Sequence, residues 1–251
     1  MDAILGLFQS GARTLGGGAP GGGVLGVSEI ARRTGISKPA VSRIAAELVE
    51  RRFLERVEGG LRLGVRLFEL GSQAAGPSDL RRLAFATLAD LRSATRQTVH
   101  LAVLEGSDVV YIEILRSRFT PPLPSRVGGR LPAYATGVGK ALLAHLSEDR
   151  LAEVLPERLT PVGPRTITDP AVLRRHLEEV RETGFAYERE ESAPLIGCAA
   201  APVFDADDRP IAAVSISVHL DAVDLVTLGA AVSTAAHAIT RQAVQHQFRA
   251  G

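Results

Sequence analysis

The stretch VSEIARRTGISKPAVSRIAAELVERR, residues 27–52, contains two helical patterns separated by a short turn. Ser28 is a suitable N-cap for the first helix, and Thr34-Gly35 ends it because glycine tolerates the left-handed conformation of a sharp turn. Ser37 then caps a second helix with Pro39 in its first turn, where a missing N–H costs little. The stretch therefore predicts two short helices joined by a tight turn.

The second of these helices has two different faces. Its apolar residues recur at i, i+3, i+4, i+7 and i+8, so they bury one side of the helix. Pro39, Ala40 and Arg43 lie away from that side, and Ser42 lies at its edge. A helix inserted N-terminus first into the major groove would place Arg43, the serine hydroxyls and backbone N–H groups near DNA. The pattern favours a helix-turn-helix that binds DNA.

Two short strand patterns follow, Phe53–Val57 and Leu61–Leu63, on either side of Glu58-Gly59-Gly60. Gly-Gly permits the positive φ angles of a tight hairpin, and a hairpin after a helix-turn-helix forms a wing. Any two helices joined by a glycine turn look similar, so the hairpin is what favours this interpretation. The residues predicted to contact DNA are Ser28, Ser37, Lys38, Pro39, Ala40, Ser42, Arg43, Arg56 and Arg62.

The rest of the chain mixes helices and strands without a regular βαβ rhythm, which predicts an α+β fold with an antiparallel sheet flanked by helices. A short apolar helix at 2–9 and a Gly-rich connector at Gly16–Gly23 precede the helix-turn-helix, and Gly76-Pro77 is a strong breaker pair. We expect a DNA-binding domain over 1–64, a linker helix over 65–77 and a second domain over 78–251. Helices are predicted at 78–96, 138–145, 148–155, 170–183 and 222–246, the last capped by Asp221, and strands at 98–104, 109–115, 185–189, 198–204 and 211–218.

Composition narrows the class of protein. No apolar run approaches the ~20 residues of a membrane span, and the first residues do not show the basic segment and apolar core that are typical of a signal peptide. A single cysteine, Cys198, allows no intramolecular disulfide, so we expect a cytoplasmic protein. The net charge is +1, but residues 1–75 hold ten Lys/Arg against seven Asp/Glu. This excess of positive charge lies in the part of the chain that contains the predicted helix-turn-helix, where contacts to DNA phosphates need it. The first helix begins almost at Met1, which leaves open a start further upstream.

Metal and catalytic motifs are not found in the sequence. The six histidines are scattered without a His-x-x-x-His or Cys-x-x-Cys pair, so we expect no metal and no cofactor. No Gly-x-Ser-x-Gly elbow is found. Thr136-Gly137-Val138-Gly139-Lys140 lacks phosphate-loop spacing and has Ala141 where Mg²⁺ needs a hydroxyl, so we reject nucleotide hydrolysis. We expect a protein that is not an enzyme.

Two patterns in the C-terminal part are compatible with a ligand site. The Gly-rich helix start at Gly137 and Val138 can present backbone N–H groups to a carboxylate, although a tight strand-to-helix junction is the simpler explanation. Ser215 and Ser217 alternate with apolar residues, so both hydroxyls lie on one face of a strand. That face is either exposed or part of a pocket for a small polar ligand.

The order of these motifs resembles the IclR family of bacterial regulators. VSEIARRTGISKPAVSRIAAELVERRFLER resembles its winged helix, and LRLGVRLFELG resembles the wing strand that runs into its linker helix. RVGGRLPAYATGVGKALLAHL and GFAYEREESAPLIGCAAAPVFDADDRPIAAVSISV resemble two signatures of its C-terminal half. The resemblance covers nearly the whole chain and implies a winged helix, a linker helix, a GAF-like effector domain, and dimers that pair on DNA as tetramers.

The resemblance also implies pocket residues. It places Cys198 in the pocket and Glu188 at the family's acidic position, which is often Asp; the family often has His at Ser192 and Gly at Leu195. A lone buried cysteine and a solvated glutamate are the simpler explanations. With apolar walls added, the predicted ligand-binding residues are Gly137, Val138, Glu188, Cys198, Ser215, Ser217, Leu115, Leu131 and Ala133.

We therefore expect a transcription regulator whose C-terminal domain binds a small molecule, such as an organic acid, and changes the affinity for an operator. Two alternatives remain open at this point. In one, the C-terminal domain only dimerises. In the other, the chain is a cytoplasmic enzyme with an accessory domain that resembles a DNA-binding domain.

Overall fold

A computed structural model describes residues 2–9, 23–221 and 223–248 of the chain. The chain divides into two compact units, Met1–Ala75 and Gly76–Gly251. Most of the predicted Gly-rich connector lies outside the described residues. None of the described helices is both long enough and apolar enough to cross a membrane.

The first unit is a small helical domain with a two-stranded hairpin. Its elements are α1 (Asp2–Gln9), α2 (Val27–Thr34), α3 (Lys38–Glu50), β1 (Leu54–Val57), β2 (Gly60–Leu63) and α4 (Val65–Gly71). Ile4, Ile30, Val41 and Leu48 are fully buried in one apolar core that α1, α2 and α3 share. The hairpin closes this core, because Leu54 and Leu61 are buried in it as well.

Backbone geometry explains the turn and the wing. Gly35 ends α2 with φ +71°, the left-handed conformation that the sequence predicts. Gly60 has φ +153°, and a Cβ there would lie 2.5 Å from the carbonyl oxygen of Leu25, so this position of the hairpin requires glycine. Ser28 does not cap α2: the N-cap position is Gly26, and Ser28 is exposed in the first turn.

The second unit is a six-stranded antiparallel sheet with helices on both faces. Its strands are β3 (Thr98–Glu105), β4 (Asp108–Leu115), β5 (Arg130–Pro132), β6 (Ala186–Arg189), β7 (Ile196–Phe204) and β8 (Pro210–His219), in the order β5-β4-β3-β8-β7-β6. Its helices are α5 (Ala75–Thr95), α6 (Gly137–Leu143), α7 (Glu148–Val154), α8 (Pro170–Thr183) and α9 (Val226–Gln245).

The two faces of the sheet are covered differently. On one face, α5 and α9 pack against alternate residues of β3, β7 and β8, such as Val99, Ala201 and Ile216. On the other face, α6, α7 and α8 pack against Ala102, Ala200 and their neighbours. Because both faces of β7 and β8 are buried, these strands consist almost entirely of small and branched apolar residues.

Two helix ends differ from the sequence-based prediction. The linker helix α4 ends at Gly71, and α5 begins at Ala75 and runs through Gly76-Pro77. Proline is tolerated in the first turn of a helix, so this breaker pair lies at a helix start and not at a helix end. The last helix begins at Val226, and Asp224, not Asp221, accepts the N–H of Val226 at 3.1 Å.

Candidate DNA-binding surface and candidate ligand pocket

The outward face of α3 carries the predicted DNA-contacting side chains. Lys38, Pro39, Ser42 and Arg43 are exposed, and Ala40 is partly exposed. Ser37 is at the N-cap of α3 and its hydroxyl does not cap the helix. The serine hydroxyl therefore stays available for a contact outside the helix.

The two arginines of the wing differ in their surroundings. Arg62 forms an ion pair with Glu55, directly across the hairpin. Arg56 is exposed and has no ion-pair partner among the described residues, and the same is true of Arg43. Arg43, Arg56 and the exposed Lys38, which also has no ion-pair partner among the described residues, therefore need not break an ion pair to meet a phosphate.

The floor of the candidate pocket is formed by polar residues of three neighbouring strands. Ser215 and Ser217 of β8 lie on the same face as Cys198 of β7 and His100 of β3. The Sγ of Cys198 is 2.7 Å from the Oγ of Ser217, and Nδ1 of His100 is 3.4 Å from Ser215 Oγ and 3.5 Å from Ser217 Oγ. The hydroxyls and the thiol form one connected hydrogen-bonded floor.

Burial keeps this floor uncharged. It lowers the pKa of His100 to about 3, so the imidazole is neutral at physiological pH, and it raises the pKa of the Cys198 thiol to about 12. The ring of His100 packs against Tyr111, with 5.2 Å between the ring centroids. The floor therefore offers neutral donors and acceptors to whatever lies above it.

Helix α6 starts directly above the floor. A Cβ at Gly137 would lie 3.1 Å from Cβ of Cys198 and 3.4 Å from Cβ of Ala200, so glycine lets the helix approach the sheet. The hydroxyl of Thr136 caps the helix by accepting the N–H of Gly139 at 3.1 Å. The N–H groups of Gly137 and Val138 have no partner within α6 and lie at the edge of the pocket.

Glu188 is the acidic residue of the pocket and is completely buried. Its Oε1 accepts the N–H groups of Glu191 at 2.5 Å and Ser192 at 3.0 Å. Its Oε2 is buried without a hydrogen-bond partner among the described residues. Burial, opposed by these N–H groups, raises the pKa of the carboxyl to about 7. Glu188 can therefore carry or release a proton near neutral pH.

A buried ion pair supports the end of β6, the strand that carries Glu188. The ammonium group of Lys140 on α6 is fully buried and lies 2.5 Å from Oε1 of Glu191. Its Nζ also donates to the carbonyl oxygen of Tyr187 on β6 at 2.8 Å. The pair joins α6 to the segment on both sides of Glu188, so it fixes the position of that carboxyl.

The cavity itself is small, with a volume of about 20 Å³, which is room for a water molecule. Of the predicted pocket residues it brings together Gly137, Val138, Glu188, Cys198, Ser215, Ser217 and Leu131. It also contains residues that the sequence analysis missed: His100, Tyr111, Leu123, Pro124, Ser125, Thr136, Ser192 and Ile196. The alternation of Thr98 and His100 with Val99 and Leu101 is the signal that would have found His100.

Two residues predicted as apolar walls of the pocket, Leu115 and Ala133, lie elsewhere in the structure. Leu115 pairs with Val99 and packs into the apolar core under α5 and α9, on the opposite face of the sheet. Ala133 lies in a 3₁₀ turn, Ala133–Ala135, beneath α6, where a Cβ on Gly139 would come within 2.4 Å of its Cα. Ala133 is therefore packing for the helix, and neither residue lines the cavity.

Among the described residues, no group of three or more His, Cys, Asp or Glu side chains is arranged to hold a metal ion. The arrangement that is present combines a winged helix-turn-helix with a sheet domain that forms a polar cavity. These two features together define a DNA-binding transcription regulator with a separate sensory domain.

Comparison with known proteins gives the family. The IclR helix-turn-helix domain matches residues 3–58, and the C-terminal domain of bacterial IclR transcriptional regulators matches residues 72–241. The chain belongs to the IclR family of DNA-binding transcriptional regulators. It is 34% identical over 203 residues to the HTH-type transcriptional regulator XynR of Escherichia coli (strain K12), covering 80% of this chain and 81% of that protein.

Solved structures agree with this assignment. An IclR homologue from Microbacterium hydrocarbonoxydans, crystallised in complex with 4-hydroxybenzoate, has a TM-score of 0.83 and 29% identity, with 96% of this chain and 97% of that chain covered. The IclR protein of Thermotoga maritima has a TM-score of 0.73 and 32% identity, with 95% of each chain covered. The predicted α+β fold with an N-terminal winged helix is confirmed.

Proposed function

We propose that this regulator responds to a small organic molecule bound in the cavity of its second unit. The observation that carries this proposal is the polar floor formed by the buried His100, Ser215 and Ser217 together with the partly buried Cys198. Burial of polar side chains costs free energy unless they are hydrogen-bonded, and an apolar face would pack under α6 without that cost, so the polar floor supports a polar ligand. The complex of a related protein with 4-hydroxybenzoate supports a ligand of similar size.

The charges around the cavity restrict the chemistry of the ligand. No Lys or Arg side chain is among the described residues that line it, His100 is neutral and Glu188 is acidic. A carboxylate ligand would therefore be held by neutral hydroxyl and N–H donors. Glu188 would repel this ligand unless the carboxyl of Glu188 binds a proton. A ligand with both an acid group and a hydroxyl, such as a hydroxylated aromatic acid, fits this set of groups.

We further propose that residues 1–64 bind operator DNA through α3 and the wing. Arg43 is placed for a base or phosphate contact, Arg56 for a phosphate, and Ser37, Lys38, Pro39, Ala40 and Ser42 for the groove or its edge. Ser28, at the start of α2, would contact the backbone. Arg62 would contribute only after leaving Glu55.

The assembly is proposed to be a homodimer, or a tetramer of two dimers, in the cytoplasm, acting by binding and not by catalysis. Helix α4 leaves Val65, Phe68 and Leu70 exposed, with Phe68 76% exposed. Apolar side chains on consecutive turns between two units need a covering surface, and a two-fold dimer matches the two half-sites of an operator. Residues 65–77 are the proposed linker and 78–251 the proposed effector domain.

Selection of duplexes from a randomised DNA pool would give an operator for this chain. Fluorescence anisotropy on that operator, with and without a panel of organic acids that includes 4-hydroxybenzoate, tests the proposal. We expect at least one acid to change the dissociation constant at least tenfold. Tight operator binding that no acid changes would favour the alternative in which the second unit only dimerises.

A further inference from the structure

The chain between β4 and β5 crosses the cavity as a strap, which we define as residues 121–127. The strap is anchored at both ends. Before it, Thr120 accepts the N–H of Thr98 at 3.0 Å and donates to the carbonyl oxygen of Ser217 at 3.3 Å. After it, the N–H of Gly128 donates to the carbonyl oxygen of Tyr111 at 2.8 Å.

Between these anchors, the strap is attached to the sheet through Ser125. Its Oγ lies 2.9 Å from Nε2 of His100, and its carbonyl oxygen accepts a hydrogen bond from Arg116 at 2.8 Å. Among the described residues, no other hydrogen bond joins the strap to the strands beneath it. Pro121, Pro122 and Pro124 have no N–H with which to add one.

Ser125 occupies the site in the cavity where a polar group of a ligand could hydrogen-bond to His100. It is buried, whereas its neighbours Pro124 and Arg126 are exposed, and Ser125 is the residue of the strap that hydrogen-bonds to the cavity floor. Its partner His100 is the member of the polar floor that contacts both pocket serines on one side and the strap on the other. A cavity of about 20 Å³ has no room for an organic acid while Ser125 stays there.

A neutral imidazole has one N–H donor and one acceptor nitrogen. The hydroxyl of Ser125 can donate to Nε2 or accept from it, and Nδ1 takes the complementary role towards Ser215 and Ser217. A polar ligand group in place of Ser125 would meet Nε2 as a donor or an acceptor in the same way. The hydroxyl of Ser125 is thus chemically equivalent to a hydroxyl or carboxyl of a ligand at this atom.

We propose that His100 is a specificity-determining residue of the pocket and that Ser125 is its internal occupant, which a ligand replaces at Nε2 when the strap lifts. The proposal rests on the proposed function, since it concerns the same cavity. It adds that the entrance lies under residues 121–127 and that the ligand must offer a hydrogen-bonding group to His100.

The rate at which Cys198 reacts with methyl methanethiosulfonate measures the opening of the strap without any ligand. Cys198 is the single thiol of the protein and lies on the cavity floor. We expect Ser125→Ala to speed the labelling at least tenfold, and Ser125→Thr, which keeps the hydroxyl, to stay close to wild type. Ser93→Ala, an exposed serine on α5, is the matched control and should not change the rate.

Two outcomes would overturn the strap as the entrance. One is a labelling rate in Ser125→Ala equal to that of wild type. The other is a faster rate that Ser125→Thr shares or that follows a lowered melting temperature, since that would report general loosening.

The replacement of Ser125 by a ligand group at His100 is tested with 4-hydroxybenzoate as the probe. Calorimetry should show at least tenfold tighter binding to Ser125→Ala than to wild type, because the internal occupant is gone, and at least tenfold weaker binding to His100→Phe. Equal affinities for wild type and Ser125→Ala, or no binding to either, would refute the replacement at His100. The labelling experiment tests the strap as the entrance independently of this calorimetric result. Loss of operator binding would count against the proposed function only.

Discussion

The two faces of the six-stranded sheet are built from the same strands and are both covered by helices, but they differ in polarity at β8 and its neighbours. On β8, Val214, Ile216 and Val218 enter an apolar core under α5 and α9, whereas Ser215 and Ser217 face a polar cavity under α6. A fold that needed only stability would have made both faces apolar. Both faces contain an apolar core that stabilises the unit, and the difference indicates that the region around Ser215 and Ser217 serves recognition.

The largest effect is expected at the ion pair behind the polar face. Lys140→Met removes one partner and leaves Glu191 buried and uncompensated, which costs about 3–5 kcal/mol of unfolding free energy. Urea denaturation at pH 8 measures this loss. The double variant Lys140→Met, Glu191→Leu removes both charges and should recover most of the stability. A cost below about 1 kcal/mol for the single change would contradict the role given to the pair.

Neighbouring residues of β8 allow a direct comparison of the two faces. Ile216→Ala leaves a cavity in the apolar core and should cost about 2–5 kcal/mol. Ser217→Ala removes neutral hydrogen bonds and should cost about 0.5–1.5 kcal/mol. Chemical denaturation of both variants provides the test. Equal costs would mean that the polar face is as important for stability as the apolar one.

The pH dependence of stability distinguishes the faces further. The pKa of Glu188 is raised to about 7 in the folded protein against 4.5 for an ordinary carboxyl. Its contribution is therefore fully present below pH ~4.5 and is lost as the pH rises through ~7, by at most about 3 kcal/mol. Glu188→Gln lacks this loss, so its stability relative to wild type should increase between pH 5 and pH 8.

Subtracting the stability of wild type from that of Glu188→Gln separates the effect of Glu188 from that of the buried His100. The lowered pKa of His100 makes both proteins lose stability as the pH falls below ~6.5, and this part cancels in the difference. Melting temperatures measured from pH 5 to pH 8 give the comparison. A difference that stays constant over this range would show that Glu188 is ionised throughout.

A smaller effect is expected from the DNA-facing surface, which lies outside the sheet altogether. Arg43→Ala should weaken operator binding by about 1–3 kcal/mol if the side chain contacts a base, with no change in the melting temperature. Arg51→Ala, at the C-terminal end of the same helix and paired with Glu47, is the control. Gel-shift titrations with equal affinities for wild type and Arg43→Ala would remove Arg43 from the interface.

Local patterns were sufficient to predict most of this architecture. The turn at Gly35 and the wing depend on residues adjacent in sequence, and the alternation around Ser215 and Ser217 follows from the period of a strand. His100 was missed because its place beside Ser215 depends on β3 pairing with β8, more than a hundred residues away. Ser125 was missed for a different reason, because an irregular segment has no period that would indicate which way its side chains point.

Leu115 shows how one residue can reverse a prediction. In β4, Tyr111 faces the pocket, and strict alternation would bring Leu115 to the same face. The register shifts between Leu101 and Ala102, whose partners are Glu113 and Tyr111, so Ile112 is an extra residue. A bulge of this kind inverts the alternation beyond it, and the sequence does not show where it occurs.

We propose that the polar face of the sheet binds the molecule that controls operator binding. The most direct test is anisotropy on the selected operator, titrated with the acid that wild type responds to, for wild type and for Ser215→Ala, Ser217→Ala. Loss of two ligand-facing hydroxyls should raise the acid concentration needed for half response at least tenfold, which is about 1.4 kcal/mol. Operator affinity without the acid should be unchanged, because the first unit is not altered. An unchanged response in the double variant would place the controlling site elsewhere and contradict the account.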